Sequence, residues 1–464
     1  MRDTLAWALF AAARFEEAVA EERRAVEEAA AEDEAAFEDD LARLLEAIGE
    51  ELDPEAPRKA QVRIASLEAE LATIRAELSA LPQWTFDDDQ DKWWYNQLDK
   101  LVSGIRAFAD ERTGLAAAGT SNEHGWGVRK RLANAIALRD GYARGGAYAK
   151  AWEEALPAIR AAYPGLSLSP QLGLLPIGPD PGSGLWEFAH LETGQPATRG
   201  ADGRLDFGEE TGLVFVLLPG GAFSMGAQKD DPGGPNWDPQ ARTIEEPVHA
   251  VTLSPFFLSK YEMTQSQWER FTGTNPSFYK PGTVVSSLLH PVEQVSWLDC
   301  MELLTRLELS LPSEAQWEYG ARGGTSTPWW TGNERESLRG AVNLADRSAA
   351  RIGALWEETE DWPELDDGYS VHAPVDALRP SPFGLHNVCG NVWEWCLDGY
   401  DAHFYDLLQD PDPVSPPAAS STRVIRGGSF NDAAVGTRSA NHGTFTPGLA
   451  AYTLGLRPAR AIDP

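Results

Sequence analysis

Cysteine is nearly absent from this chain: three in 464 residues, Cys300, Cys389 and Cys396, with no Cys-x-x-Cys pair. An odd count at that spacing supplies no disulfide framework, so buried thiols are expected. Histidine is sparse, eight in all and scattered, with only His124 before residue 190. Basic residues are outnumbered, 39 Lys and Arg against 71 Asp and Glu, and the resulting formal charge of −32 repels phosphate backbones, which excludes nucleic acid as the principal partner. No apolar run approaches the roughly 20 residues a membrane helix needs, and Met1-Arg-Asp opens without a signal-peptide apolar region. A soluble, cytoplasmic chain with no membrane partner is expected. No His-Arg-Asp loop occurs, which excludes kinase chemistry for this chain. The 42% hydrophobic content is enough for a large core, and the length suits two to four domains.

Rare residues instead concentrate in one stretch, Pro382 to Asp398, PFGLHNVCGNVWEWCLD. Gly384 and Gly390 permit turns that a residue with a Cβ resists, and Trp393 and Trp395 alternate as on a strand covered on both faces. Asn387, Asn391 and Glu394 add oxygen donors to the same turn. Around it, in order, stand Phe223-Ser-Met225-Gly226, Tyr261-Glu-Met-Thr264, His290-Pro-Val292, Val295-Ser-Trp297, Leu311-Pro-Ser-Glu-Ala-Gln-Trp-Glu-Tyr319, Ala321-Arg-Gly-Gly324, Arg426-Gly-Gly-Ser429 and Leu454-Gly-Leu-Arg457. In this order and spacing the motifs resemble the formylglycine-generating-enzyme or sulfatase-modifying-factor family over about residues 212 to 460. The resemblance implies an elaborated C-type-lectin fold; function has to be argued from the site. Ser310 and Leu456 depart from the family pattern, where Arg and Phe are usual.

Before this region the texture is helical. LAWALFAAARFEEAVAEERRAVEEAA over residues 5 to 30 resembles a tetratricopeptide helix pair, QVRIASLEAELATIRAEL after Lys59 spaces its apolar residues as a hairpin arm or short coiled coil does, and Trp93, Trp94 and Trp152 are expected packing anchors. After Pro164, short apolar runs punctuated by Gly, Pro and Asp read as strands and turns. Three helices are predicted beyond the boundary: Gln265 to Phe271, Ser296 to Leu307, and a third capped by Pro312-Ser313 and running through Glu318. The fold class is therefore α+β: an all-helical region over 1–165, a strand-and-turn connector over 166–211, and a loop-rich, C-type-lectin-like sulfatase-modifying-factor domain over 212–464.

The resemblance implies two calcium sites, and calcium, a hard cation, wants the amide, carboxylate and carbonyl oxygens these loops offer. One would use the Asn387 side chain, the Gly390 and Val392 carbonyls and the Glu394 carboxylate; the other Asn343, the Leu344 carbonyl, Asp367 and the Tyr369 carbonyl. Turn caps and solvated charges are the competing roles for the same residues. In formylglycine-generating relatives two cysteines soon after Arg-Gly-Gly-Ser bind copper; here Asp432 and Thr437 stand at those places, and neither is a thiolate. The helical histidine module of the iron-dependent relatives has no counterpart among these scattered histidines.

Between the C-terminal motifs lie three filler runs, FNDAAVGT, NHGTFT and LAAYT, in which Lys, Glu, Gln, Met and Trp are absent. Those five are the amino acids that codons ending in a pyrimidine cannot encode, so the runs resemble the adenine-randomised segments of diversity-generating retroelement variable proteins. An ordinary solvent loop short of long side chains has the same composition. The leading expectation is a non-catalytic, calcium-stabilised binding protein with a recognition face of Phe430, Asn431, Asp432, Val435, Asn441, His442, Phe445, Leu449 and Tyr452. That face would take a protein or other macromolecular ligand, with a protein partner at the N-terminal helices. The alternative is an oxygen-dependent oxidoreductase of the formylglycine-generating type.

Overall fold

The computed structural model describes residues 127–463 apart from 353, 355, 405–410, 418 and 419. The helices expected over 5–30 and after Lys59, and Trp93 and Trp94, lie outside the described residues. Two helices come first, α1 (Val128–Tyr142) and α2 (Ala147–Ala162). Trp152 on α2 is the anchor its sequence suggests: fully buried, it stacks on Phe188 at 5.4 Å and its Nε1 donates to the Leu174 carbonyl at 2.7 Å.

Strands follow: β1 (Leu174–Pro179), β2 (Trp186–His190), β3 (Thr198–Arg199), β4 (Leu205–Asp206), β5 (Val214–Leu218), β6 (Gly221–Met225), β7 (His249–Leu253) and β8 (Phe256–Ser259). The β5 sequence Val-Phe-Val-Leu-Leu is buried at every position, so this apolar run is a strand covered on both faces. It sits at the centre of a five-stranded sheet ordered β1-β2-β5-β8-β13, where β13 is Ala459–Ala461. The region read as a connector, 166–211, thus supplies β1 and β2 and is integral to the sheet; alternating turn signals alone could not show which strands pair. Asp206-Phe207-Gly208 has the letters of a kinase metal-binding tripeptide, but Asp206 pairs with Thr198 in a two-stranded hairpin.

Helices α3 (Gln265–Thr272), α4 (Trp297–Arg306) and α5 (Glu314–Arg322) match the predicted three. Each starts with a capping box, Thr264 with Gln267, Ser296 with Asp299 and Ser313 with Gln316, which satisfies orphan N–H groups of the first turn. A short α6 (Arg347–Arg351) is capped by Asp346. A second sheet, ordered β11-β10-β9-β12, combines β9 (Trp393–Gly399), β10 (Arg423–Arg426), β11 (His442–Phe445) and β12 (Leu454–Gly455). Trp395 on β9 is fully buried and donates to the Val295 carbonyl at 3.0 Å, which ties this sheet to the start of α4. Among the described residues no helix is long and apolar enough to cross a membrane.

Candidate functional site

The turn before β9 is built by backbone conformations few residues adopt. Asn387 (φ 57°) and Asn391 (φ 68°) are left-handed, a region asparagine tolerates, and Gly390 (φ 77°) could not be otherwise, since a Cβ there would lie 2.2 Å from the Asn343 carbonyl oxygen. This geometry turns both asparagine side chains inward onto Glu262, from the Tyr261-Glu-Met-Thr264 motif. Asn387 Nδ2 donates to Glu262 Oε2 at 2.8 Å and Asn391 Nδ2 to both oxygens at 3.0 Å. Asn391 Oδ1 in turn accepts from Ala373 N at 2.7 Å and Asn343 Nδ2 at 3.1 Å. Burial, with the charge of Glu394 behind it, pushes the Glu262 carboxyl upward.

Glu394 is held differently. Arg457 donates to it from Nη2 at 2.6 Å and from Nε at 2.9 and 3.1 Å, and Trp317 Nε1 adds a bond of 2.6 Å. Arg457 also binds the carbonyls of Ser259, Lys260 and His386, so it locks β8, the turn and β9 together. Both Glu394 oxygens are thus engaged by an arginine and an indole, a role the motif pattern did not reveal. The carboxylate in contact with Asn387 is Glu262.

In the second group, Asp367 accepts from Leu344 N at 3.1 Å and Tyr369 N at 2.8 Å, while its own N–H donates to Asp346 at 2.6 Å. Burial and then the charge of Asp346 push the Asp367 carboxyl up. Asn343 Nδ2 bonds the Val371 carbonyl at 2.8 Å. Two amide oxygens, Asn387 Oδ1 and Asn343 Oδ1, are buried with no hydrogen-bond partner among the described residues, one in each group. An orphaned buried amide oxygen beside desolvated carboxyls is the donor chemistry a hard cation satisfies.

The C-terminal segment is fixed by three buried arginines. Arg426 bonds Glu314 and Glu318, Arg438 bonds Asp238 at 2.6 Å and Glu245 at 2.7 and 2.8 Å, and Arg457 holds Glu394. Between them, Asp432 Oδ2 accepts from Ser429 N at 2.9 Å and Oγ at 2.7 Å, and Thr437 Oγ1 bonds the Ala434 carbonyl and accepts from Trp329 Nε1 at 3.2 Å. Asp432 and Thr437, the positions at which the family resemblance implies copper-binding cysteines, are therefore tied into local hydrogen bonds. Cys300, Cys389 and Cys396 are all buried, as expected, and burial pushes the Cys389 thiol up to about 12.

Of the nine recognition residues, Val435, Phe445 and Tyr452 are exposed, and Asn431, Asp432, His442 and Leu449 are half-buried. The expected exposure fails at two. Phe430 is 1% exposed because it packs edge-on against Tyr279 and His372 and against Trp356, and Asn441 is buried because its side chain bonds Arg242 and the Gly436 carbonyl. Phe430 and Tyr452 meet at 6.3 Å, with Phe278 and Tyr279 completing an aromatic cluster, whereas His442 is turned toward Tyr400 at 5.8 Å. Phe278, 51% exposed, belongs to that surface and was missed, since nothing in its local sequence marks it.

Beneath the aromatics lies a buried acid and two histidines. His290 and His372 are in contact through their Nδ1 atoms at 2.9 Å, and His372 Nε2 is 3.7 Å from Glu293. Burial lowers His372 to about 3 and His290 to about 4, and raises Glu293 to about 8.

Residues 207–462 match the family described as the sulfatase-modifying factor enzyme 1-like domain. A formylglycine-generating enzyme of Thermomonospora curvata is 32% identical over 313 residues, covering 54% of this chain and 94% of that protein. The bovine (Bos taurus) protein named inactive C-alpha-formylglycine-generating enzyme 2 is 28% identical over 353 residues, covering 64% of this chain and 96% of its own length. Among solved structures, Treponema denticola variable protein 1 is similar with a TM-score of 0.42 and 23% identity, covering 54% of this chain and 96% of that one.

Proposed function

The chain belongs to the sulfatase-modifying factor enzyme 1-like family through residues 207–462, and from that premise we propose that it is a non-catalytic ligand-binding protein whose C-terminal segment presents a recognition surface on a calcium-stabilised scaffold. The observation that carries the reading is the chemistry at Asp432 and Thr437: a carboxylate closing the Ser429 turn and a buried hydroxyl bonded to Trp329 offer no soft, paired sulfur ligands for copper(I). The similarity to a relative named as inactive agrees with it. Copper(I) titration with oxygen uptake on a cysteine-containing peptide tests it. No stoichiometric copper and no turnover are expected; turnover lost on replacing Cys389 or Cys396 overturns it. The competing reading, an oxygen-dependent oxidoreductase, draws on the 32% identity to a formylglycine-generating enzyme, but it needs thiolates from cysteines that are buried.

The recognition surface centres on Tyr452 and Phe278, with Val435 and Phe445 as further exposed apolar positions. A macromolecular ligand, protein foremost, suits rigid aromatic area beside small polar residues. Retroelement diversification of 426–457 predicts a reverse transcriptase and a near-copy of that coding segment at the native locus, and neither would be present for an ordinary binding module. A cytoplasmic location follows from the same reading of a reduced-thiol protein.

Calcium is proposed at Asn387 with the Gly390 and Val392 carbonyls and a carboxylate from Glu262 or Glu394, and at Asn343 with Asp367 and the Leu344 and Tyr369 carbonyls. The two orphaned amide oxygens support it. Chelation is expected to lower the melting temperature of this domain, and Asn387→Ala to lower it in calcium while blunting the response to chelator. A melting profile indifferent to chelator refutes the assignment and leaves the recognition reading standing.

A further inference from the structure

At the β10 end of β11, away from the aromatic cluster, His442 pairs with Arg426 across the sheet and projects into a cavity of about 40 Å³. Its side chain is 10% exposed, and its Nε2 has no hydrogen-bond partner among the described residues. Nδ1 lies 3.4 Å from Glu314 Oε1. A carboxylate facing one ring nitrogen favours the proton there, which leaves Nε2 of this cavity-lining side chain as an unpartnered lone pair. The occupant must therefore donate a hydrogen bond.

The charge of the walls narrows the occupant further. Among the described residues, Glu245, Glu246, Glu314, Glu318 and Asp401 line the cavity with Arg426 as the one lining guanidinium. Arg322 reaches Glu318, and Arg438 and Arg242 reach Glu245, so among the described residues five carboxylates face four guanidiniums and one negative charge remains. The Tyr400 ring, 5.8 Å from the imidazole, supplies an aromatic wall. The cavity, about 40 Å³, has room for a compact head group such as an ammonium.

We propose that this cavity is a binding site for a primary ammonium group, with His442 Nε2 accepting one of its N–H bonds and the surrounding carboxylates supplying the counter-charge. The ammonium can belong to a small alkylamine or to a lysine side chain of a partner. The site uses one residue of the recognition segment and does not depend on calcium or on the aromatic surface.

Calorimetric titration of the full chain with n-butylammonium, n-butanol, tetramethylammonium and Nα-acetyl-lysine amide tests the proposal, with the His442 ring nitrogens followed by NMR. Saturable binding of n-butylammonium is expected, with a shift at His442 Nε2 and neither butanol nor tetramethylammonium competing; binding of acetyl-lysine amide as well assigns the site to lysine side chains, and its exclusion assigns it to free amines. His442→Phe, which keeps the ring and removes the acceptor, should weaken the amine at least about tenfold, whereas Tyr452→Ala, on the aromatic surface, should not. Equal affinity in folded His442→Phe, equal affinity for tetramethylammonium, or an unmoved Nε2 signal in the unsubstituted protein overturns the proposal. The last holds even if the variant fails to fold. Loss of macromolecular binding in Tyr452→Ala with intact amine binding would separate the two surfaces.

Discussion

Replacing Glu293 with glutamine should make the domain more stable, increasingly so as pH rises. Glu293 is fully buried, accepts from Tyr279 N at 2.7 Å and lies 3.7 Å from His372 Nε2, while its Oε2 has no partner among the described residues. Burial raises the carboxyl from its ordinary 4.5 to about 8. Between those values the unfolded chain releases the proton and the folded protein keeps it, so stability is full below the unfolded value and is lost as pH climbs toward 8. At about 1.4 kcal/mol per pKa unit the ceiling on the total loss is about 5 kcal/mol, of which about 2 falls between pH 6 and 8. Glutamine keeps the oxygen that meets Tyr279 and never ionises. His372 and His290, already held neutral over this range, titrate alike in both proteins and cancel in the difference. Melting curves of Glu293→Gln and the parent should therefore lie close together near pH 5 and separate by roughly 7–14 °C at pH 8, given about 3.5 kcal/mol between those pH values and 2–4 °C per kcal/mol for a domain of this size. A pH-independent gap between the two would show that Glu293 holds no proton, and the argument from its burial would fail.

Arg457→Met leaves the buried Glu394 carboxylate without its partner and should cost about 3–5 kcal/mol by denaturant unfolding, unless Glu394→Gln is made with it. Gly390→Ala should abolish soluble expression or lower the melting temperature severely, because a Cβ meets the Asn343 carbonyl at 2.2 Å on a φ of 77°. By contrast Ser296→Ala, which removes one capping interaction at an otherwise intact helix start, should cost only about 1 kcal/mol in the same measurement.

What the sequence made legible were features written in local chemistry. The cap at Pro312-Ser313 announced α5, and the capping boxes found at the starts of α3, α4 and α5 are a mechanism complete within four residues, a Ser or Thr with its Gln or Asp three residues on. Trp393 and Trp395 announced β9 through alternation, and the motif order announced the family. The place of 166–211 was not legible, since pairing of β2 with β5 depends on residues whose apolar runs look alike whichever partner they take.

The site shows the same limit more sharply. Glu394 stands out in the sequence between two tryptophans, and its position near Asn387 makes it the natural oxygen donor of that turn. Yet Glu394 is bound by Arg457, sixty-three residues on, and the carboxylate that the asparagines reach is Glu262, more than a hundred residues before them. Both facts are tertiary, and no spacing rule carries them. The burial of Phe430 has the same origin: its ring is enclosed by Tyr279, His372 and Trp356, each from a different loop, so a filler run that reads as surface supplies one aromatic to the core. Because Phe430 supports Tyr452 from beneath at 6.3 Å, a diversified segment that varied position 430 freely would alter the platform as well as the face it presents. Substitution at Tyr452 or Phe445 should therefore be tolerated, while polar residues at 430 should not, which makes the pattern of allowed substitutions along 430–452 a direct reading of which positions belong to the recognition surface.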